Sequence, residues 1–599
     1  MKDITKIIII AIAALLFACE DIKLSGEFLD QTPDQIGFVQ DSIFANEQTA
    51  DRVLTRAYSF ARFPFFSEFN PPRMQGAGKG TLEGITDLGI NYANTNAKNQ
   101  YYTGLYNAGL GSGAGVYPYL GNGAWDAIRY AYIYLENVDK VPDMTEEQKR
   151  ARKGEAHCLI AWRYIDLLRN YGGVPWIDKA YRVDEIPETL QRETVESLVN
   201  KIVALLDLAA SELPWNNTSQ TDYMRFNKAS AMALKLRVLL FAASPLFNAS
   251  EPYHSQGDEY SWYGNYDAAR WDRAKTAGED FINQLNANGY YELVQASGTN
   301  HRDYRQAFID GYMTRGKKES LANMTAFKSR GEDVERVWAD IIFTSWPSRQ
   351  IAQTLEYINM FPMRDGSDFP ADFDWSNPPF NPFYNESGEP TRDPRLYETA
   401  YINGDYVGTR TVEMWGSGNG FKKGRDLLND TRTSFKIRKF ILENNNATNR
   451  RKPIQFSIMR LPDVFLCYAE AINESNGGPN ATAYDMVNRV RARVGLNDLP
   501  AGLNQQQFRE AILKERALEF GYEESRWYDL IRWKRNDILQ KALTGLKIKK
   551  TRTQGVFEYS TYSLPGRYWE ENWDSKWYLS AFPSSEVDKN YGLTQNPGW

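Results

Sequence analysis

Cysteine and histidine are almost missing from this 599-residue chain, which has three of each. Three cysteines exclude a disulfide scaffold, and three histidines leave little room for imidazole-based metal or acid–base chemistry. A surplus of positive charge is missing as well. Seventy Lys and Arg stand against 76 Asp and Glu, a net charge of -6, and the pI is about 5.6, so no basic field exists to hold nucleic acid. No apolar run approaches the roughly 20 residues that a membrane-spanning helix needs. His-Glu-x-x-His, Cys-x-x-Cys, a Walker A loop and Gly-x-Ser-x-Gly are all absent, which removes the motif-bearing zinc proteases, redox dithiols, P-loop enzymes and serine hydrolases. Aromatic residues are abundant: 16 Trp, 36 Tyr and 30 Phe. That content argues against disorder, and the length permits one large domain or a few ordinary ones.

The first twenty residues carry an address. Lys2 and Lys6 precede an apolar run over residues 7–17, too short to span a bilayer and suited to a signal-peptide core. It ends Leu16-Phe17-Ala18-Cys19, similar to a bacterial lipobox, in which the cysteine is lipidated and becomes the first mature residue. The expectation is a signal peptide over 1–18 and a mature chain anchored to a membrane through Cys19 without spanning it. Losing Lys2, Lys6 and Asp3 moves the net charge from -6 to -7. Glu20 and Asp21 fit either export to the cell surface or an ordinary linker. Cys158 and Cys467 remain, both in helical stretches, and are expected to be buried apolar residues.

Helical periodicity recurs along the chain. Thr145-Glu146-Glu147-Gln148 is a capping box. Ala156, Leu159, Ile160, Tyr164, Leu167, Leu168 and Tyr171 then mark one apolar face, and Gly172-Gly173 ends the helix. Similar faces run from Val195 to Leu213, from Ala229 to Phe247 behind an Asn227 cap, through Val464 to Ile472, and through Ala483 to Val494. Another starts at Asn504 to Gln507, and a last one is predicted over 523–537. The 34-residue shift between the second and third faces equals the tetratricopeptide period, but it separates neighbouring helices where the repeat requires alternate ones. Stacked helical hairpins are expected.

Between the helices, residues 63–125, 250–266 and 344–435 are irregular and rich in Gly, Asn, Trp, Tyr, Asp and Pro; loops of this length are usually functional. Residues 337–343 form a β-prone run. Gly109-Leu110-Gly111-Ser112-Gly113-Ala114 is a degenerate dinucleotide fingerprint that follows no clear strand, and it reads as a loop. His157 is expected to pack in its helix, and Glu510 with Lys514 to form a surface i,i+4 pair. A glycosidase needs only two well-placed carboxylates, which a sequence cannot exclude.

Several ordered stretches together resemble the SusD/RagB family of outer-membrane nutrient-binding lipoproteins of the Bacteroidota. They are the lipobox with Phe28-Leu29-Asp30 and Pro33, Trp125-Asp126-Ala127-Ile128-Arg129 with Leu135-Glu136-Asn137-Val138, and Gly154-Glu155-Ala156 through Tyr171-Gly172-Gly173-Val174-Pro175. They continue with Ala242-Ala243-Ser244-Pro245-Leu246-Phe247-Asn248, Arg392-Asp393-Pro394-Arg395-Leu396, Leu466-Cys467-Tyr468-Ala469-Glu470-Ala471 and Asn488-Arg489-Val490-Arg491-Ala492-Arg493-Val494-Gly495. Glu515-Arg516-Ala517-Leu518-Glu519-Phe520, Arg526-Trp527-Tyr528-Asp529-Leu530-Ile531-Arg532-Trp533 and the terminal Gln595-Asn596-Pro597-Gly598-Trp599 complete the set.

The resemblance implies a mainly α fold: tetratricopeptide-like hairpins packed with a loop-rich irregular half containing a few short strands. The implied parts are an N-terminal helical scaffold over 19–250, a loop-rich ligand-facing part over 251–455 and a C-terminal helical part over 456–599, together one entangled domain. It implies a non-catalytic lipoprotein at the cell surface that captures oligosaccharides, or in some members peptides, for a SusC-like TonB-dependent transporter. No cofactor is expected, and a structural calcium is not readable.

Sugars present CH faces and hydroxyl edges, so their sites use flat exposed aromatics beside amides, carboxylates or Arg. The candidate ligand residues, taken from loops, are Asp87, Asn91, Tyr92, Asn94, Tyr101, Tyr102, Trp262, Trp338, Trp346 and Arg349. Trp125, Trp162, Trp527 and Trp533 are assigned to packing. Phe63, Phe65, Phe66 and Phe69 are assigned to a local core or a partner contact, and Trp569, Trp573 and Trp577 to a helical stripe lying on the body. The competing readings are a RagB-like peptide binder, a surface glycoside hydrolase and a purely structural component of a transporter complex.

Overall fold

The structure, a computed structural model, describes residues 42–60, 82–91, 98–110, 117–120, 123–219, 222–325, 351–408, 410–427, 433–440 and 455–599. Cys19, the 63–69 phenylalanines and the 337–343 run lie outside the described residues, as does most of the 109–114 stretch.

Six helices pack in chain order, each on the next: α1 (Glu47–Ser59), α2 (Ala124–Leu135), α3 (Glu146–Tyr171), α4 (Val195–Glu212), α5 (Lys228–Ala243) and α6 (Ala269–Asn288). The chain then passes through α7 (His301–Tyr312), α8 (Leu355–Met360) and α9 (Pro394–Thr399) before the series resumes. α10 (Leu461–Asn476) lies on α6 and carries α11 (Ala481–Ala492) and α12 (Gln505–Phe520). The mainly helical, stacked-hairpin expectation holds. The predicted caps are formed: Gln148 N–H donates to Thr145 Oγ1 at 3.2 Å and Thr145 N–H to Gln148 Oε1 at 2.8 Å, and Asn227 and Asn504 form equivalent boxes on α5 and α12. Each cap satisfies N–H groups that the helix itself cannot, worth about 1 kcal/mol. The predicted apolar faces of α3, α4, α5, α10 and α11 lie almost wholly in the core, Met232 of α5 being half-buried.

Three expectations are corrected. The predicted 523–537 helix is two, α13 (Arg526–Arg532) and α14 (Asn536–Leu539), because Lys534 adopts a left-handed φ of 52° between them. Trp569, Trp573 and Trp577 do pack back on the body, but α15 (Tyr568–Glu571) ends before a separate 3-10 turn at Ser575–Tyr578, so they share no helical stripe. Glu510 and Lys514 do not pair: Arg535 takes Glu510 at 2.8 Å, and Lys514 turns to Asp368. A short final helix, α16 (Ser584–Val587), precedes the C-terminal tail.

Strands are few and antiparallel, in two-stranded sheets: β1 (Gly89–Asn91) with β3 (Ile351–Gln353), β2 (Ser320–Thr325) with β6 (Gln455–Arg460), β4 (Tyr406–Val407) with β5 (Arg410–Thr411), and β7 (Thr544–Lys550) with β8 (Phe557–Ser563). The helices surround one large core that draws on residues from Phe44 to Leu593. The irregular half has its own core, which includes Leu88, Leu355, Trp375, Phe383, Phe435, Leu546 and Ile548.

Joining the two is a lattice of buried ion pairs. On α12, Glu515 and Glu519 face one way, to Arg395, Arg491, Arg493 and Arg460, whereas Arg516 faces the other way, to Asp463 and Asp529. Burial alone would raise the Glu519 carboxyl, but Arg493, Arg460 and Arg395 around it hold it well below the usual carboxylate range. Removing one member of such a pair strands a desolvated charge. This explains why Arg392-Asp393-Pro394-Arg395, Arg493, Glu515, Glu519 and Arg526 read so clearly in the sequence: all are interior. Cys158 and Cys467 are free and buried. Cys467 differs from the apolar expectation, since Arg516 Nη1 donates to its sulfur at 3.4 Å. His157 is paired with Glu212 at 2.7 Å.

Candidate functional site

The 82–91 stretch is tied down from several sides. Arg526 on α13 grips Asp87 through Nε and Nη2, at 3.0 and 2.8 Å, and both side chains are buried. Thr354 Oγ1–H donates to Asp87 O, and Tyr522 Oη–H to Leu88 O at 3.2 Å. These bonds set β1, which pairs residue for residue with β3: Gly89 with Gln353, Ile90 with Ala352 and Asn91 with Ile351.

The pairing decides how the predicted site residues relate. Asn91 ends β1 opposite Ile351, the first residue of β3. Two described segments far apart in sequence therefore share this sheet end. Tyr92, Asn94, Trp338, Trp346 and Arg349 themselves lie outside the described residues.

Asp87, Tyr101 and Tyr102 are corrections. Asp87 is spent on Arg526 inside the protein. Tyr102 is buried and its hydroxyl donates to Gly84 O. Tyr101 is buried among aromatic rings, stacked on Tyr106 at 4.9 Å with Trp569 and Trp577 about 6 Å away. Trp599 closes edge-on over Tyr106 at 5.1 Å. Their place in an irregular loop suggested a ligand site, but Trp569 and Trp577, distant in sequence, pack against Tyr101. All three residues hold the loop platform and present no surface to a ligand.

Trp262 is placed differently. Its loop crosses the end of α3, where Gly173 N–H donates to Tyr260 O at 2.7 Å. A Cβ on Gly173 would lie 1.9 Å from Glu193 O, and one on Gly172 would lie 2.5 Å from Tyr260 O. The Gly172-Gly173 pair is therefore required for this crossing as well as for ending the helix. Arg192 adds a bond to Tyr260 O at 3.3 Å. On this clamped loop Trp262 is half-buried and outside the packed core. The adjacent Tyr263 packs on the core under the Arg270 guanidinium at 3.8 Å, and burial pushes its hydroxyl pKa up. Tyr266 is 54% exposed.

A further aromatic platform escaped the sequence reading. Trp415, Phe421 and Phe557 are each half-buried. Lys550 Nζ lies 4.8 Å from the Trp415 ring centre and 5.2 Å from that of Phe421, while Phe557 is 5.8 Å from Trp415. Asn419 Nδ2 donates to Glu558 Oε2 at 3.2 Å beside them. The β7–β8 hairpin supplies Lys550, Phe557 and Glu558, and Gly416 N–H bonds Ile548 O at 2.8 Å to fix the Trp415 loop to it. Flat rings with an amide, a carboxylate and an ammonium at the margin suit a polyhydroxylated ligand. The signal was present: Trp415 is followed by Gly416-Ser417-Gly418-Asn419, a polar, small-residue setting like those of Trp262 and Trp346, whose neighbours include Ser, Gly, Asn and Pro.

No group of three or more His, Cys, Asp or Glu side chains among the described residues is arranged to hold a metal ion. None of the described helices is long and apolar enough to cross a membrane.

This architecture, a helical stack carrying a loop-rich half with its own core, matches known proteins along most of its length. A sequence model described as the SusD family matches residues 313–599, and one described as starch-binding associating with outer membrane matches 27–240. The chain belongs to the SusD/RagB family. A SusD-like protein of Formosa agariphila is 24% identical over 440 residues, covering 70% of this chain and 74% of that protein. A second from the same bacterium is 48% identical over 79 residues, a local match covering 13% of this chain and 15% of that protein. Among solved structures, a SusD-like protein from Bacteroides fragilis superposes with a TM-score of 0.69 at 21% identity, covering 93% of this chain and 98% of its own. A SusD-like carbohydrate-binding protein from the same species gives 0.66 at 18% identity, covering 92% of this chain and 100% of its own. A laminarin-binding SusD-like protein gives 0.53 at 18% identity, with coverage of 92% and 100%.

Proposed function

We propose that this SusD/RagB protein captures oligosaccharides at the cell surface, without cleaving them, and passes them to a SusC-like TonB-dependent transporter. The observation that carries this reading is the fold shared over 92% of the chain with a carbohydrate-binding family member, together with half-buried aromatics on its loops. The family description of starch binding at the outer membrane supports the same reading, as does the laminarin-binding relative. Trp262 and Trp415 would supply stacking faces, with Asn419 and Glu558 at the margin of the Trp415 platform, and Tyr92 and Trp346 would add to them. Cys19 would carry the lipid that holds the protein to the outer membrane after removal of residues 1–18. The oligosaccharide would then stay intact until import.

The test is binding of the lipid-free protein to a panel of soluble glycans, laminarin and starch included, with product analysis after prolonged incubation. Saturable binding to a glycan with no new reducing ends supports the reading. Binding to peptides alone would move the protein to the RagB-like class, and glycan cleavage abolished by one carboxylate substitution would make it a hydrolase.

A further inference from the structure

The Trp415 loop and the β7–β8 hairpin gather positive charge in a chain whose net charge is negative. Residues 410–427 and 547–558 together hold eight Lys and Arg against three Asp and Glu, whereas the whole chain carries -6. The three carboxylates are engaged. Asp426 takes Arg410 at 2.8 Å, Glu413 accepts from Arg425 N–H at 3.1 Å, and Glu558, opposite Lys549 in the hairpin, accepts from Asn419 at 3.2 Å. Lys422, Lys549, Lys550 and Arg552 form no ion pair with any described residue.

The fold brings three of these lysines to the aromatic platform. Lys550 is half-buried, and its ammonium lies between the Trp415 and Phe421 rings. The ring faces attract the ammonium and hold it in place, but they leave its charge uncancelled. Lys549 is exposed, and its side chain runs past Gly418, where a Cβ would lie 3.6 Å from Lys549 Cδ. Lys422 is exposed directly after Phe421, and its carbonyl accepts from Trp415 Nε1 at 3.3 Å, which ties it to the indole. An ammonium pressed between two rings is partly shielded from water, so an anion that reaches it gains more than at an open surface lysine. The rings, the Asn419 amide and the Glu558 carboxylate suit a sugar, and the uncancelled ammonium groups add a demand for negative charge.

We propose that the Trp415 platform takes an acidic oligosaccharide, whose carboxylate or sulfate ester is received by Lys550, with Lys422 and Lys549 at the rim. This deepens the glycan-capture reading and rests on it. A uronic acid and a sulfated sugar are the two sources of such an anion. The ammonium groups serve both, because Lys acts as a point charge without the fixed fork of Arg.

The experiment is isothermal titration of the lipid-free protein with length-matched oligosaccharides: oligogalacturonate, a sulfated galactan fragment, and neutral fragments of laminarin and starch. The expected result is at least tenfold tighter binding of one acidic fragment than of either neutral one. That affinity should fall at least several-fold as sodium chloride rises from about 50 to about 500 mM, because salt screens exposed charges. Lys550→Gln should weaken it at least tenfold. The double variant Lys422→Gln with Lys549→Gln removes two exposed groups without breaking an ion pair, and it should weaken binding in the same direction. Lys235→Gln on α5 controls for net charge and should bind as wild type does. Preference for oligogalacturonate identifies a carboxylate, and preference for the galactan fragment identifies a sulfate ester. Neutral fragments binding as tightly as both acidic ones, an affinity indifferent to salt, unchanged binding in Lys550→Gln and in the double variant, or an equal loss in Lys235→Gln would overturn the proposal and leave glycan capture standing. Binding to none of the four would overturn both.

Discussion

Replacing Asp87 with alanine should destabilise the protein and leave the glycan affinity of its folded molecules unchanged. Asp87 accepts two bonds from Arg526, at 3.0 and 2.8 Å, and both groups are buried. Arg526 keeps one other bond, from Nη1 to Leu513 O at 3.3 Å, so the substitution leaves a desolvated guanidinium with most of its donors unused. Breaking a buried pair from one side costs about 3–5 kcal/mol. At about 2.1 cal/mol/K per residue, cooperative unfolding of 599 residues carries an entropy of about 1.3 kcal/mol/K, so the loss lowers Tm by about 2–4 °C. Differential scanning calorimetry reads the shift, and isothermal titration at 20 °C reads glycan affinity. The double variant Asp87→Ala with Arg526→Met should lose less than the two single losses added together, since no charge is then stranded. An unchanged Tm with affinity weakened tenfold would refute the reasoning and return Asp87 to the ligand site.

Other expectations follow from the same geometry. Trp262→Ala should weaken glycan binding at least several-fold with Tm within about 1 °C of wild type, because the ring lies outside the packed core; Trp415→Ala should act in the same direction, and titration with a bound glycan checks both. Burial, and then the nearby Arg305, lower the His301 pKa from 6.5 to about 4. The unfolded chain therefore takes up that proton first, and stability falls as pH drops from about 6.5 towards 4, by about 3 kcal/mol at the low end. Urea midpoints for wild type and His301→Gln at pH 7.5, 5.5 and 4.5 should converge as pH falls; parallel curves would contradict the assignment. Cys19→Ala should move the protein from the membrane fraction to the soluble periplasmic fraction on cell fractionation.

The helical stack was legible in the sequence because its signals are local. A capping box at Thr145, apolar residues three and four apart and a terminal Gly pair act within one or two turns, and tertiary packing reinforces them. The boundary missed between α13 and α14 depended on one left-handed residue, Lys534, which no spacing rule marks. Charge pairing was misread for the converse reason: Glu510 and Lys514 are neighbours on a helix surface, but Arg535 and Asp368, remote in sequence, reach them first.

The loop residues were harder to read. Asp87, Tyr101 and Tyr102 stand in an irregular stretch rich in Gly, Asn and Tyr, which suggests a ligand-facing loop. What covers Asp87 and Tyr101 comes from positions 526, 569 and 577, more than 400 residues away. Trp262 and Trp415 show the useful side of the same rule: a Trp set among Gly, Ser and Asn has no apolar stripe to join, and both remain half-buried. The register that brings Asn91 opposite Ile351 is a long-range fact that only the folded chain contains.

The most direct test of the central claim is equilibrium titration of the lipid-free protein with soluble glycans, followed by analysis of each glycan for new reducing ends. The account predicts saturable binding to at least one oligosaccharide, weakened by Trp262→Ala or Trp415→Ala, and glycan recovered at its original length. Glycan shortened in proportion to protein and time, or binding to none of the panel while peptides bind, would contradict it.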